Sequence, residues 1–163
     1  MAKNKEEKTN VMRVLEQKKI AYTAHTYPHE EGMAVDGVTV AKSMGFDPAI
    51  VFKTLVARGA SKQYYVFDVP VAENLDLKKA AKAVGEKSVE MLHQKELLPL
   101  TGYVHGGCSP VGMKKLFPTV FHETAENLET MIVSAGKIGY QVELSPRDLA
   151  ALVRAKFADI IVE

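Results

Sequence analysis

The chain has 163 residues, 47% of them hydrophobic and 25% charged, which describes one folded domain spanning 1–163 and excludes a disordered chain. A formal net charge of +1 excludes a protein that grips nucleic acid by charge alone, because such proteins carry a clear basic excess. No apolar run approaches the ~18 residues of a membrane helix, MAKNKEEKTN has no apolar secretory segment, and a single cysteine, Cys108, fits a reducing, cytoplasmic compartment.

The first predicted element is a helix over 9–18, where Val11, Met12 and Leu15 recur at helical spacing and Thr9 offers a cap. A short strand follows over 22–27, then a helix over 35–44 stopped by Gly45. Asp47 and Pro48 read as the cap and first position of one further helical turn. Segments 52–57 and 63–69 are β-rich and form a hairpin around 58–62. A helix over 76–84 ends at Gly85, a short strand covers 88–91, and a helical turn over 94–98 stops before Pro99. The stretch 102–112 is glycine-rich and irregular. A strand over 119–122 precedes a second hairpin, 131–135 with 140–144, and Ser145-Pro146 opens the last helix. A final strand is expected over 157–162. Two hairpins among intermixed helices imply a mixed α/β fold of α+β type, with a central, mostly antiparallel, barrel-like sheet and helices packed outside.

Four features bear on chemistry. Alternation along 51–57 puts Lys53 on one face with Val51, Leu55 and Ala57, an unusual row for a cation that resists desolvation. It is either a lysine that snorkels to water from a strand end or a fixed charge lining a cleft, suited to an oxyanion or phosphate. The segment Gly106-Gly107-Cys108-Ser109-Pro110 is either an ordinary turn or a loop whose backbone N–H groups face a ligand. Cys108 would act as a nucleophile only beside a base such as His105 or His122. Gly136 and Lys137 belong to a tight hairpin turn that lacks phosphate-loop spacing. No set of His, Cys and carboxylates has metal-ligand spacing, no cofactor motif is present, and Asp47, Asp68, Glu73 and Asp76 form no recognisable acid/base pair.

Six segments in order resemble the YbaK/EbsC family of aminoacyl-tRNA editing proteins, which is similar to the editing insertion of bacterial prolyl-tRNA synthetases. They are HTYPH at 25–29, VFKTLV at 51–56, PVAENLDLKKAAKAVG at 70–85, TGYVHGGCSPVGMKK at 101–115, SAGKIGYQVEL at 134–144 and AKFADI at 155–160. The resemblance implies that Lys53 is the essential lysine. It also implies that Gly106, Gly107, Cys108, Ser109 and Pro110 shape the aminoacyl pocket, and that Tyr27, Gly136, Lys137 and Gln141 stand at the same cleft. Asp36 falls about where some members carry a pocket phenylalanine, and Gln141 where some carry an aspartate.

The activity so implied is trans-acting hydrolysis of mischarged Cys-tRNA(Pro), with Cys-tRNA(Cys) a further substrate. The substrate's own thiol would attack the ester, without metal or cofactor. Near-neutral charge implies weak, local RNA contact, with Lys78, Lys79, Lys82, Lys114 and Lys115 as candidates. Recognition of tRNA(Pro) would be borrowed from prolyl-tRNA synthetase in a transient complex. The alternatives are an alanine-clearing deacylase of the same family, a non-catalytic module that binds a synthetase or tRNA, and a thiol hydrolase using Cys108.

Overall fold

The computed structural model describes residues 8–30 and 33–163. Local chemistry sets most element ends. Helix α1 (Asn10–Gln17) begins where the Thr9 hydroxyl accepts from the Met12 amide at 3.3 Å. Strand β1 (Thr23–Thr26) leads to helix α2 (Gly37–Ser43), which starts two residues later than the spacing predicts. The cause is Asp36, whose carboxylate caps it by accepting from the Thr39 amide at 3.2 Å. A 3₁₀ turn (Pro48–Ile50), capped by Asp47, turns the chain into strand β2 (Phe52–Gly59), which pairs with β3 (Tyr64–Pro70).

Helix α3 (Leu77–Val84) runs from an Asp76 cap to Gly85 in the left-handed conformation. Strand β4 (Val89–Met91) is followed by α4 (Gln94–Thr101), which does not stop before Pro99 but carries it inside. Proline there removes one donor. The last carbonyls are nonetheless occupied: the Thr101 hydroxyl donates to Leu97 O at 2.7 Å and the Gly102 amide to Leu98 O at 2.9 Å. Strands β5 (Thr119–His122), β6 (Met131–Ser134) and β7 (Tyr140–Leu144) precede α5 (Pro146–Val153), capped by Ser145. The final strand, β8 (Ala155–Ala158), begins two residues earlier than expected. Arg154 ends α5 in the left-handed region (φ 57°) and delivers Ala155 directly opposite Thr119.

The strands form two sheets rather than a barrel. One has the order β1-β7-β6 and the other β4-β2-β3-β5-β8. Pairing is antiparallel except at β3–β5 and β5–β8. A parallel bridge between Val51 and Ile132 joins the sheets without closing them. Both faces of β2–β3 are covered. One carries Ala57, Phe67 and Val69 against Ala80 and Ala81 of α3. The other carries Phe52 and Val66 against Phe121, Val133 and Leu149. Each of these Val, Leu and Phe side chains, fully buried, favours folding by roughly 1.5–3 kcal/mol. Helix α2 closes the seam between the sheets, with Ala41 against Val51, Val71 and Ile132. No helix among the described residues is long and apolar enough to cross a membrane.

Candidate active site

A cleft of about 340 Å³ opens at that seam. The start of β2 forms one wall, the α2 cap a second, the 105–108 loop a third, and β6 and β7 the floor. Lys53, Tyr27, Gly106, Cys108 and Gln141, singled out from sequence, all line it.

Lys53 is half-buried and pairs across the hairpin with Val69. No hydrogen bond or ion pair holds its ammonium among the described residues. Burial pushes its pKa down, while the charges of Asp36 and Glu73 oppose that shift. The cleft therefore has a cation in its wall that the fold leaves uncommitted.

The loop is shaped by Gly106, at φ 89°, which makes a tight turn closed by the Gly107 amide donating to Val104 O at 3.0 Å. A Cβ on Gly106 would lie 2.7 Å from that of Ala34. The Gly107 amide is thus spent on the turn, while Gly106 and Cys108 on either side of it line the cleft. Gly107, Ser109 and Pro110 do not line the cleft. Gly107 backs onto the Lys137–Ile138 backbone, where a Cβ would stand 3.1 Å from Ile138 N. The Ser109 hydroxyl is buried and accepts from the Val111 amide at 3.2 Å, and Pro110 is buried. These three build the loop from behind.

Gly136 and Lys137 are likewise displaced from the expected position. They border a neighbouring cavity of about 350 Å³ with His29, Tyr103 and Tyr140, and the Lys137 ammonium lies 5.4 Å from the Tyr140 ring centre. Alternation along β7 explains the split: Gln141 faces the cleft and Tyr140 the other cavity. Tyr27 is 5% exposed, and burial raises its phenol pKa. Gln141 is buried, and its Oε1 has no partner among the described residues, an unmet acceptor at the bottom of a cleft.

Cys108 is buried, and its thiol is pushed up to about 12 by desolvation and by the charge of Asp68. Such a thiol stays protonated and inert at neutral pH. The lysine candidates divide. Lys79 is held by Asp159 and by Ile161 O, both at 2.9 Å. Lys114 donates to Pro99 O at 3.2 Å, and Lys115 sits 5.9 Å from the Phe117 ring centre. Lys78 and Lys82 are exposed.

Asp36, noted from sequence as a departure at a pocket position, lines the cleft while capping α2. Sequence reasoning missed Ser134 and Thr54 as cleft residues. Ser134 lines the cleft and accepts from the Gly136 amide at 3.1 Å. Thr54 lines it and donates to the fully buried Asp68 at 2.5 Å. The available signal was Asp68 itself, an acid inside the apolar strand YYVFDVP.

A cleft with a cation uncommitted among the described residues, a glycine-turned loop in its wall and a thiol held protonated suits a protein that positions and polarises its substrate. Residues 29–152 match the aminoacyl-tRNA editing domain, and the chain belongs to that family. It is 47% identical over 161 residues to the Enterococcus faecalis (strain ATCC 700802 / V583) protein named "Putative Cys-tRNA(Pro)/Cys-tRNA(Cys) deacylase EbsC", covering 98% of both chains. Two solved structures share the fold. One, from work on epitope grafting onto scaffold proteins, superposes with a TM-score of 0.82 at 25% identity, over 94% of this chain and 95% of the other. The second, a "putative trans-editing enzyme for prolyl tRNA synthetase", gives 0.80 at 23% identity, over 98% of this chain and 100% of the other.

Proposed function

We propose that this protein is a trans-acting aminoacyl-tRNA deacylase that clears cysteine from tRNA(Pro), in the cytoplasm and in transient complex with prolyl-tRNA synthetase. The observation that carries the reading is the half-buried Lys53, its ammonium unpaired among the described residues, in one cleft with Gly106 and Cys108. An ester becomes reactive when its carbonyl oxygen gains negative charge next to fixed donors that need no rearrangement. In this reading Lys53 and the backbone amides of Gly106 and Cys108 supply such donors. The open acceptor on Gln141 suits the amino group of the bound amino acid.

The nucleophile comes from the substrate. Cys108 is too firmly protonated to attack, and a cysteinyl ester brings its own thiol within reach of its carbonyl, an arrangement that removes most of the entropic barrier. Attack by that sulfur releases the tRNA and leaves a thiolactone that water opens. The mild net charge accords with a partner supplying tRNA selectivity.

The test is deacylation of tRNA(Pro) charged with Cys, Ala, Ser or Pro by wild type and Lys53→Ala. Wild type is expected to clear the cysteinyl ester and to spare the seryl and prolyl esters. Lys53→Ala should slow turnover ~100- to 1,000-fold with an unchanged circular dichroism spectrum. Rapid seryl hydrolysis would point to an activated water instead, and full activity in Lys53→Ala would remove the lysine from the mechanism.

A further inference from the structure

Asp68 lies in the middle of β3 with no exposed surface, between Phe67 and Val69. A carboxylate in such a place is costly unless hydrogen bonds surround it. Asp68 has one, from the Thr54 hydroxyl to Oδ1 at 2.5 Å, and Oδ2 has none among the described residues. Desolvation lifts the carboxyl to about 7. A valine at this position would suit the strand and bury no charge, so the fold retains an acid it does not need.

The neighbours of that acid give it a role. Thr54, its cross-strand partner, lines the cleft, and so does Cys108, whose thiol feels the Asp68 charge. On the other flank β5 presents Phe121 opposite Asp68. The carboxyl therefore stands behind the cleft wall, one hydroxyl away from whatever the cleft holds.

We propose that Thr54 and Asp68 form a two-residue proton relay for the nucleophile, with the Thr54 hydroxyl meeting the reacting group and Asp68 acting through it as the positioning residue that stores the proton. The relay rests on the reading above, in which the nucleophile is the thiol of a cysteinyl ester. The substrate S–H gives its proton to Thr54 Oγ1 as the Thr54 hydroxyl proton passes to Asp68 Oδ1. The sulfur attacks the carbonyl carbon and forms the C–S bond. The tetrahedral intermediate then breaks its C–O bond to the ribose, and the ribose oxygen leaves with the proton returned from Asp68 through Thr54. The products are a thiolactone and a tRNA with a free hydroxyl, and both side chains end as they began.

A carboxyl that titrates near neutrality can both accept and return a proton at working pH. Among the described residues the Thr54 hydroxyl from β2 bonds Asp68, and the Cys108 thiol from the loop feels its charge. The thiol is held protonated at neutral pH and does not compete for the role.

The experiment measures kcat and KM for Cys-tRNA(Pro) from about pH 5.5 to about pH 8.5, with wild type, Asp68→Asn, Thr54→Val and Thr54→Ser. Thermal stability is measured alongside. Asp68→Asn and Thr54→Val are expected to lose about 100-fold in kcat with KM within about twofold, and Thr54→Ser to keep its activity. The rise of kcat through neutral pH should vanish in Asp68→Asn, and that variant should be at least as stable as wild type. A merely structural carboxyl would instead give lower stability with unchanged kcat and pH profile, and that result would overturn the relay. Wild-type turnover with an unaffected Asp68→Asn removes the relay alone. If wild type leaves Cys-tRNA(Pro) intact, the functional reading falls and takes the relay with it.

Discussion

The two ends of the β2–β3 hairpin treat charge in opposite ways. At the tip the Glu86 carboxylate and the Arg58 guanidinium have found partners. Glu86 accepts from the Ser61 amide at 3.1 Å, from the Ser61 hydroxyl and from the Tyr65 hydroxyl at 2.6 Å, and these bonds pull its carboxyl below the ordinary range. Arg58 pairs with Glu90 at 2.9 Å. At the cleft end, on adjacent rungs of the same ladder, Lys53 has no partner among the described residues and Asp68 satisfies one oxygen of two there. The tip spends its polar groups on holding the loop, whereas the cleft end holds polar groups open at a cost in stability. That cost is the physical mark of a site built for a ligand.

The largest break in the comparison comes from Lys53. Its removal should cost ~100- to 1,000-fold in turnover and almost nothing in stability, because its desolvation already opposes burial. Deacylation rates and melting curves of the same samples check both halves.

Next comes the pH dependence of stability. Asp68 holds its proton up to about 7 in the folded chain, against 3.8 for the free group. Below the lower value both states are protonated and the folded state suffers no penalty. Between the two values the folded state binds more protons, so stability falls as pH rises, and it levels off above about 7. Buried His122, whose pKa desolvation lowers, has the opposite sign: its contribution is present above 6.5 and is lost as pH falls through the lowered value. Urea unfolding of wild type and Asp68→Asn from about pH 4 to about pH 8 should show a falling component that only wild type has. Parallel curves would mean that Asp68 does not titrate in this window.

At the tip, Glu86→Gln should lower Tm by a few degrees and leave deacylation untouched, since the network lies away from the cleft. Equal damage to activity would erase the distinction between the ends. The smallest effect is expected from Cys108→Ala, which should keep its activity, and native wild type should resist iodoacetamide, because the thiol is buried and protonated. Inactivation by the reagent would revive a thiol mechanism.

How much of this was legible in the sequence depended on whether the cause was local. Thr9, Asp76 and Ser145 announce helix starts because each cap is a bond to a nearby amide. Pro99 misled for the same reason, since what keeps α4 going is the bonding of Thr101 and Gly102 beyond it. The division into two sheets was not legible, because β5 lies between β3 and β8 through pairings that no periodicity encodes. In the site, Lys53 stood out as a cation in an apolar row, and the family resemblance brought in Tyr27 and Gln141. The Thr54–Asp68 contact depends on the cross-strand register, which fixes residue 54 opposite 68 and becomes visible only once the hairpin is paired.

The bridge from Val51 to Ile132 has one more consequence. Lys53 belongs to the five-stranded sheet and Gln141 to the three-stranded one, so a guest gripped by both straddles two slabs that share little direct ladder between them. Such a guest acts as a rivet. Its arrival should slow amide exchange along the joint more than within either slab, and the width of the joint becomes the gauge by which one amino acid is admitted and a bulkier one refused.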